Sequence, residues 1–305
     1  LVLELLRAAA PELRSVALSP TAAMGAPLQR LYMGILRLFL ALKDKQPSLL
    51  VLYHSCLCDA IPPNCAQLRN VVLAAVPSGG LHAPHPSTPN LKLEHIPEMS
   101  LAPPLAPSCT QALEATGIVA ELDAFLRRGA QQQSFLQRLD QALLLPASAA
   151  SAASASAALY NVPAINALVL HCAMVGTSCS GDAAGMTAVV RNVRALVEHL
   201  LQRFDGAGRA LVLNAMVNQL RYPNIHTLFY LRLLFELFEA PSTSELTRSQ
   251  LMRAALEHLQ KPQPWGVQML VYHLVNDPRY RLRTAAFYRT NPDARHFIDT
   301  ITKQL

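Results

Sequence analysis

His54, Cys56, Cys58 and Cys65 have the side chains that bind a transition metal, and they stand close together in a 305-residue chain with six cysteines. Structural zinc sites pair ligands as C-x2-4-C and place a second pair at a distance. A Cys-x-Cys followed, after six intervening residues, by one Cys departs from that spacing. His54 and Cys58, at i and i+4, share a helix face, where a free cysteine packs as a small apolar group. No metal or cofactor is therefore expected. His82, His85 and His95 fall in a proline-rich stretch whose nearest carboxylate is Glu94, and they read as loop histidines. Gly206-Ala-Gly208 lacks both the preceding strand and the third glycine of a dinucleotide fingerprint, and neither a Walker loop nor a nucleophile elbow is present. The hydrolase, kinase and oxidoreductase classes therefore have no positive evidence.

A second chemistry lies near the end of the chain, where Arg279, Arg281, Arg283, Arg289 and Arg295 interleave with Tyr280, Phe287 and Tyr288. Arginines on phosphates and aromatics on bases make an RNA site. The opposing reading anchors the aromatics in the core and pairs the arginines with Asp277, Asp293 and Asp299. Charge fits either reading: of the net +6, residues 151–305 carry an excess of five Lys/Arg over Asp/Glu. RNA binding is the alternative to the function developed below.

The elements that position these groups are helices. The chain is 51% hydrophobic but only 6% aromatic, and Ala and Leu favour packed helices over sheet. Apolar residues recur at i, i+3, i+4 and i+7 over 29–43, 48–59, 64–76, 111–127 and 131–145, and again over 159–174, 186–204, 209–221, 225–239, 245–260, 265–275, 281–289 and 292–303. Gly129 is placed to end one helix. Ser242 with Glu245 reads as a capping box, Asn291-Pro292-Asp293 as another helix start, and Asn64 with Gln67 as caps after Pro63. Short connections between antiparallel helices imply an α-solenoid. Residues 77–108, rich in proline, read as an extended segment laid across a helical surface by Leu91, Leu93, Ile96, Met99 and Leu101.

The Ala/Ser tract at 147–158 divides the chain into 1–146 and 159–305. No apolar run reaches the roughly 18 residues of a membrane span: Arg37 interrupts 31–42, and 164–176 carries Asn166 and His171. The scattered cysteines suggest a reducing compartment with no disulfide framework.

Four segments carry a resemblance: Asp59-Ala-Ile-Pro-Pro-Asn-Cys-Ala-Gln-Leu-Arg-Asn70, Tyr160-Asn-Val-Pro-Ala-Ile-Asn-Ala-Leu-Val-Leu170, Leu213-Asn-Ala-Met-Val-Asn-Gln-Leu-Arg-Tyr-Pro-Asn-Ile-His-Thr227, and Pro264-Trp-Gly266. In this order they resemble the C-terminal domain of the largest, scaffolding subunit of the eukaryotic mRNA deadenylase assembly called the carbon catabolite repression–negative on TATA-less (Not) complex. The likeness runs from about Leu28 onward; the tract 147–158 and the segment 176–186 depart from it. It implies an all-α domain of HEAT-like repeats without an active site. That domain docks the smaller Not-box subunits, related to the family's second and third/fifth members, and short peptides of translational repressors. The setting would be the cytoplasm, including processing bodies, and also the nucleus.

The third segment supplies most candidate partner-binding residues: Asn218, Gln219, Arg221, Tyr222, Asn224 and His226, joined by Arg69 from the first. On a continuous helix Leu213, Met216, Val217 and Leu220 face inward, while Asn214, Asn218 and Arg221 lie together at i, i+4 and i+7. Asn218 and Gln219 could meet the main chain of a partner peptide, or equally form a buried network fixing Tyr222-Pro223-Asn224. Trp265 is expected in the core.

Overall fold

A computed structural model describes residues 1–18, 25–62, 64–76, 83–88, 91–129, 132–145, 159–178, 183–259, 264–290, 292, 295–296 and 298–300. The tract 147–158, His82 and the Asn291 and Asp293 of the final helix start lie outside them. The chain is all-α: among the described residues the β pairing is one antiparallel bridge, Leu144 to Tyr160. Two compact units divide it. The first comprises Leu1–His82, Pro103–Cys109 and Gln260–Pro262; the second comprises Ala83–Ala102, Thr110–Leu259 and Gln263–Leu305. The division expected at 147–158 is absent from this partition, because helices before and after the tract belong to the second unit.

The first unit holds α1 (Val2–Leu18), α2 (Ala26–Lys45), α3 (Pro47–Ala60) and α4 (Ala66–Leu73). The sequence reading missed α1, although Leu6, Ala9, Ala10 and Leu13 form its buried stripe. Pro27 opens α2 and Pro47 opens α3, positions where a missing N–H costs nothing. Leu6, Ile35, Phe39, Leu50, Leu68 and Val72 make the shared core. Cys56 and Cys109 are joined by a disulfide, and the Ala106 N–H donates to the Leu52 carbonyl at 3.0 Å. Residues 103–109 are thus fastened to α3. This corrects the expectation of free thiols: a partner 53 residues away leaves no local spacing signal.

The second unit contains α5 (Gln111–Glu114), α6 (Val119–Arg128), α7 (Gln132–Ala142), α8 (Val162–Ser178), α9 (Ala183–Arg203), α10 (Gly206–Val217), α11 (Ile225–Glu239), α12 (Glu245–His258), α13 (Trp265–Asn276) and α14 (Ala286–Thr290). Helix α8 is apolar nearly all round and packs against α5, α9, α10 and α11. That is the position such a helix must take in a folded domain. No described helix is long and apolar enough to cross a membrane. Gly129 ends α6 in the left-handed conformation, φ 64°, its N–H donating to the Phe125 carbonyl. The helix expected over 111–127 is broken between α5 and α6, where Gly117 has φ 72°. The cap of α12 is Ser244, which accepts from the Thr247 N–H, and not Ser242. The helix expected over 281–289 is replaced by two 3-10 turns and α14, with Arg281 at φ 48° between the turns.

Across this unit runs the proline-rich segment. Ile96 and Met99 are buried, and Leu91 and Leu93 pack against the core. The Ile225 N–H donates to the Leu101 carbonyl at 2.9 Å, and Arg232 pairs with Glu94 at 2.6 Å. A backbone N–H, and after it that guanidinium, hold the Glu94 carboxyl below its ordinary range.

Candidate functional site

The third of the four segments, Leu213 to Thr227, forms the junction between α10 and α11. Helix α10 tightens into a 3-10 turn at Asn218–Leu220, so successive side chains rotate by about 120° instead of 100°. The tightening changes what the outward row presents. Arg221 is 7% exposed, and Gln219, Asn224 and His226 are buried as well. Asn218 is half-buried, with Oδ1 2.9 Å from Nε2 of His258.

Polar groups close the junction from inside. The Asn224 Oδ1 accepts from the Thr227 N–H at 3.0 Å and caps α11, while its Nδ2 donates to the Tyr222 carbonyl at 2.8 Å. The Thr227 hydroxyl lies 2.9 Å from the Gln219 carbonyl and 2.7 Å from the Tyr222 carbonyl, which share its proton. The network around Tyr222-Pro223-Asn224 is thus made by the Asn224 and Thr227 side chains with the main chain of Gln219 and Tyr222, while the Asn218 amide meets His258 instead. The Nδ1 of His226 has no hydrogen-bond partner, and burial pushes the imidazole down to about 4. It is neutral at physiological pH.

The other segments perform related tasks. Tyr160 donates its hydroxyl proton to Asp205 at 3.0 Å, and Asp205 caps α10 by accepting from the Gly208 N–H at 2.8 Å. Gly208 lies directly against the Tyr160 ring, where a Cβ would collide. Trp265 is half-buried and donates from Nε1 to the Pro84 carbonyl at 2.8 Å, so it is a clasp on the proline-rich segment more than a core residue. In the first unit Arg69, expected outward, is buried with Nη2 3.4 Å from the Ile61 carbonyl. Asn64 donates to the Leu13 carbonyl at 2.7 Å and Gln67 accepts from the Tyr32 hydroxyl at 3.3 Å. Neither caps α4, whose first turn has no side-chain cap.

The metal-type residues are distributed differently. His54 lies against the Val51 carbonyl at 2.7 Å, Cys56 is in the disulfide, and Cys58 and Cys65 are buried thiols outside it. Among the described residues no three His, Cys, Asp or Glu side chains converge as a metal site would require. At the basic end, Arg279 is held by Asp277 through Nε at 2.9 Å and Nη2 at 2.7 Å and lies over the Tyr280 ring. Tyr280 stacks in turn on Phe235. Arg281, Arg283 and Arg289 are exposed.

Fold and site together define an all-α helical-repeat protein in which the polar residues of the signature segments lock helix junctions. The chain belongs to the Not1 family: residues 1–302 match the family described as CCR4-Not complex component, Not1. It is 29% identical over 99% of its length to CCR4-NOT transcription complex subunit let-711 of Caenorhabditis elegans, and 26% identical over 90% to general negative regulator of transcription subunit 1 of Schizosaccharomyces pombe. It spans only 11% and 13% of those proteins. Among solved structures, the NOT1 superfamily homology domain from Chaetomium thermophilum superposes with TM-score 0.79 at 21% identity. That match covers 99% of this chain and 57% of the other. A Not1 C-terminal domain in complex with Not4 gives 0.71 at 24% identity, covering 90% of this chain and 54% of that one.

Proposed function

We propose that this chain is a non-catalytic scaffold module that docks the smaller Not-box subunits of an mRNA deadenylation and translational-repression complex. Short repressor peptides would use the same module, in the cytoplasm, including processing bodies, and in the nucleus. The observation that carries this reading is the family match over residues 1–302, supported by a fold-level relative solved in complex with Not4. Physical chemistry agrees with it. Helical repeats offer long grooves between parallel ridges, and extended or helical partner segments bind such grooves by burying apolar side chains. Because Gln219, Arg221, Asn224, His226 and Arg69 are buried, partners would engage other, exposed side chains. The test is size-exclusion chromatography and pull-down of the chain with the smaller Not-box subunits and with Not4 of the same organism. A stable complex at micromolar concentration is expected; absence of any complex overturns the reading.

A further inference from the structure

The stretch Arg279-Tyr-Arg281-Leu-Arg283-Thr284 places arginines one, three and five residues before a hydroxyl, and no other serine or threonine of the chain has arginines at both three and five. The scaffold reading uses none of these residues. They lie between α13 and α14, where the backbone makes two 3-10 turns instead of a helix. Arg281, Arg283 and Thr284 are exposed, and the Arg279 side chain is 66% exposed beside Asp277. The rings nearby are engaged within the chain: Tyr280 stacks on Phe235, while Tyr288 lies under Arg295 and donates its hydroxyl proton to Asp299 at 2.7 Å. What the surface offers is therefore guanidinium groups and one alcohol.

That set is the recognition pattern of a protein kinase that selects arginine. In an extended chain alternate side chains share a face at a spacing of about 6.7 Å. Arg279, Arg281 and Arg283 then form one row, which a groove lined by carboxylates pairs with through two-pronged hydrogen bonds. Little holds the segment against such extension. The N–H groups of Tyr280, Arg281, Thr284 and Ala285 all donate to carbonyls three residues back within it, at 2.9–3.2 Å. Turns of this kind have poor hydrogen-bond geometry and open locally. The Arg279 pair with Asp277 is solvent-exposed and yields readily to another carboxylate. Leu282, 2% exposed, is the side chain of 281–284 that leaves the core.

The same hydroxyl holds the turn. Among the described residues Arg281 is the non-glycine residue with a left-handed backbone, φ 48° and ψ 31°, a conformation that strains any residue with a Cβ. Its carbonyl accepts from the Thr284 N–H at 2.9 Å and from the Thr284 hydroxyl at 2.7 Å. Phosphorylation removes the second donor. Oγ1 bonds to the γ-phosphorus of Mg·ATP as the bond from that phosphorus to the β–γ bridging oxygen breaks; ADP leaves, and the hydroxyl proton passes to the kinase's catalytic carboxylate. The ester oxygen then has no proton for the Arg281 carbonyl. The phosphate, with a charge of about −1.5 to −2, is repelled by that carbonyl and drawn to the guanidinium groups of Arg281 and Arg283.

We propose that Thr284 is a phosphorylation site for an arginine-selecting serine/threonine kinase, and that the phosphate releases the left-handed turn at Arg281. The proposal goes beyond the scaffold reading and does not depend on it, so the pull-down with the Not-box subunits and Not4 bears on that reading alone.

The test incubates the whole chain with Mg·ATP and a purified kinase that selects arginine five and three residues before the acceptor, and locates the modified residue by mass spectrometry. Stoichiometric phosphate on Thr284 is expected, at a rate lowered tenfold or more by Arg279→Ala combined with Arg281→Gly. That variant should melt as the wild type does, since an exposed ion pair is worth little and glycine takes up a left-handed backbone without strain. No phosphate on Thr284 of the folded chain, even where an isolated peptide of residues 277–288 accepts it, overturns the site; so does a rate indifferent to the arginine replacements. Amide hydrogen exchange at Thr284 and Ala285, before and after modification, reads the turn. Faster exchange is expected on phosphorylation, and also in Thr284→Val, which loses the hydroxyl without gaining charge. Protection unchanged by the phosphate overturns the release of the turn.

Discussion

A Cβ added to Gly266 would stand 2.7 Å from the carbonyl oxygen of Leu220 and 2.8 Å from Cγ2 of Thr227. Helix α13 is therefore seated on the 3-10 turn of the α10–α11 junction at a distance that no larger side chain permits. The Pro-Trp-Gly segment and the long Asn/Arg/His segment are one structural unit, with Trp265 extending it to the Pro84 carbonyl. Gly266→Ala presses the new methyl group against the Leu220 carbonyl and the Thr227 side chain, and overpacking of this kind costs about 1–3 kcal/mol. The expected result is a melting temperature lowered by several degrees with partner binding at low temperature retained. A variant that melts like wild type would mean the approach is looser than described.

Asn224 and Arg221 act on the same junction from within. Replacing an N-cap Asn by Ala costs about 1 kcal/mol, and here Asn224→Ala also removes one of the two donors to the Tyr222 carbonyl. Arg221→Glu reverses a charge at a site 7% exposed, which costs at least about 2 kcal/mol. Both variants should unfold at lower urea while binding the Not-box subunits with unchanged affinity below their transitions. A binding defect in either with an unchanged urea midpoint would return these residues to the partner surface.

The Cys56–Cys109 bond closes a loop with sequence separation 53. In the chain-entropy account such a loop is worth up to about 4 kcal/mol, released when the bond is reduced. Melting in the presence of dithiothreitol is expected to shift downward, and a Cys56→Ser variant should melt low in both conditions. Thiol titration of the denatured, unreduced protein should find the two fewer thiols that a disulfide removes. Titration of all six cysteines would disprove the bond.

Helix existence was legible because its signal is local: the 3.6-residue stripe, the prolines at 27 and 47, and Gly129 at a left-handed cap. Arg221 is buried where an α-helical phase carried through Leu220 would have placed it outward. The chain leaves that phase at Asn218, and a change of about 20° per residue brings Arg221 inward. The pairings that decide the roles of Asn218, Trp265 and Cys56 span 40, 181 and 53 residues. Local spacing holds no information on contacts of that range.

His226 provides a pH signature of the junction. Its imidazole is 3% exposed, and burial lowers its pKa to about 4 in the folded chain, against about 6.5 when unfolded. Between these values the unfolded state binds the extra proton, so stability is full above pH 6.5 and declines as pH falls toward 4. A shift of this size corresponds to about 3 kcal/mol. His273, also lowered by burial, adds a loss of the same sign. The depressed carboxyls of Glu94 and Asp277 protonate below the ordinary carboxylate range, so the upper part of this window belongs to the histidines. Urea unfolding at pH 7.5 and pH 5 should give a lower midpoint at pH 5. His226→Gln, which removes the titrating ring, should narrow the difference between the two midpoints by more than half. An equally wide difference in the variant would show that His226 is hydrated, and the junction around Asn224 and Thr227 would then be open to water.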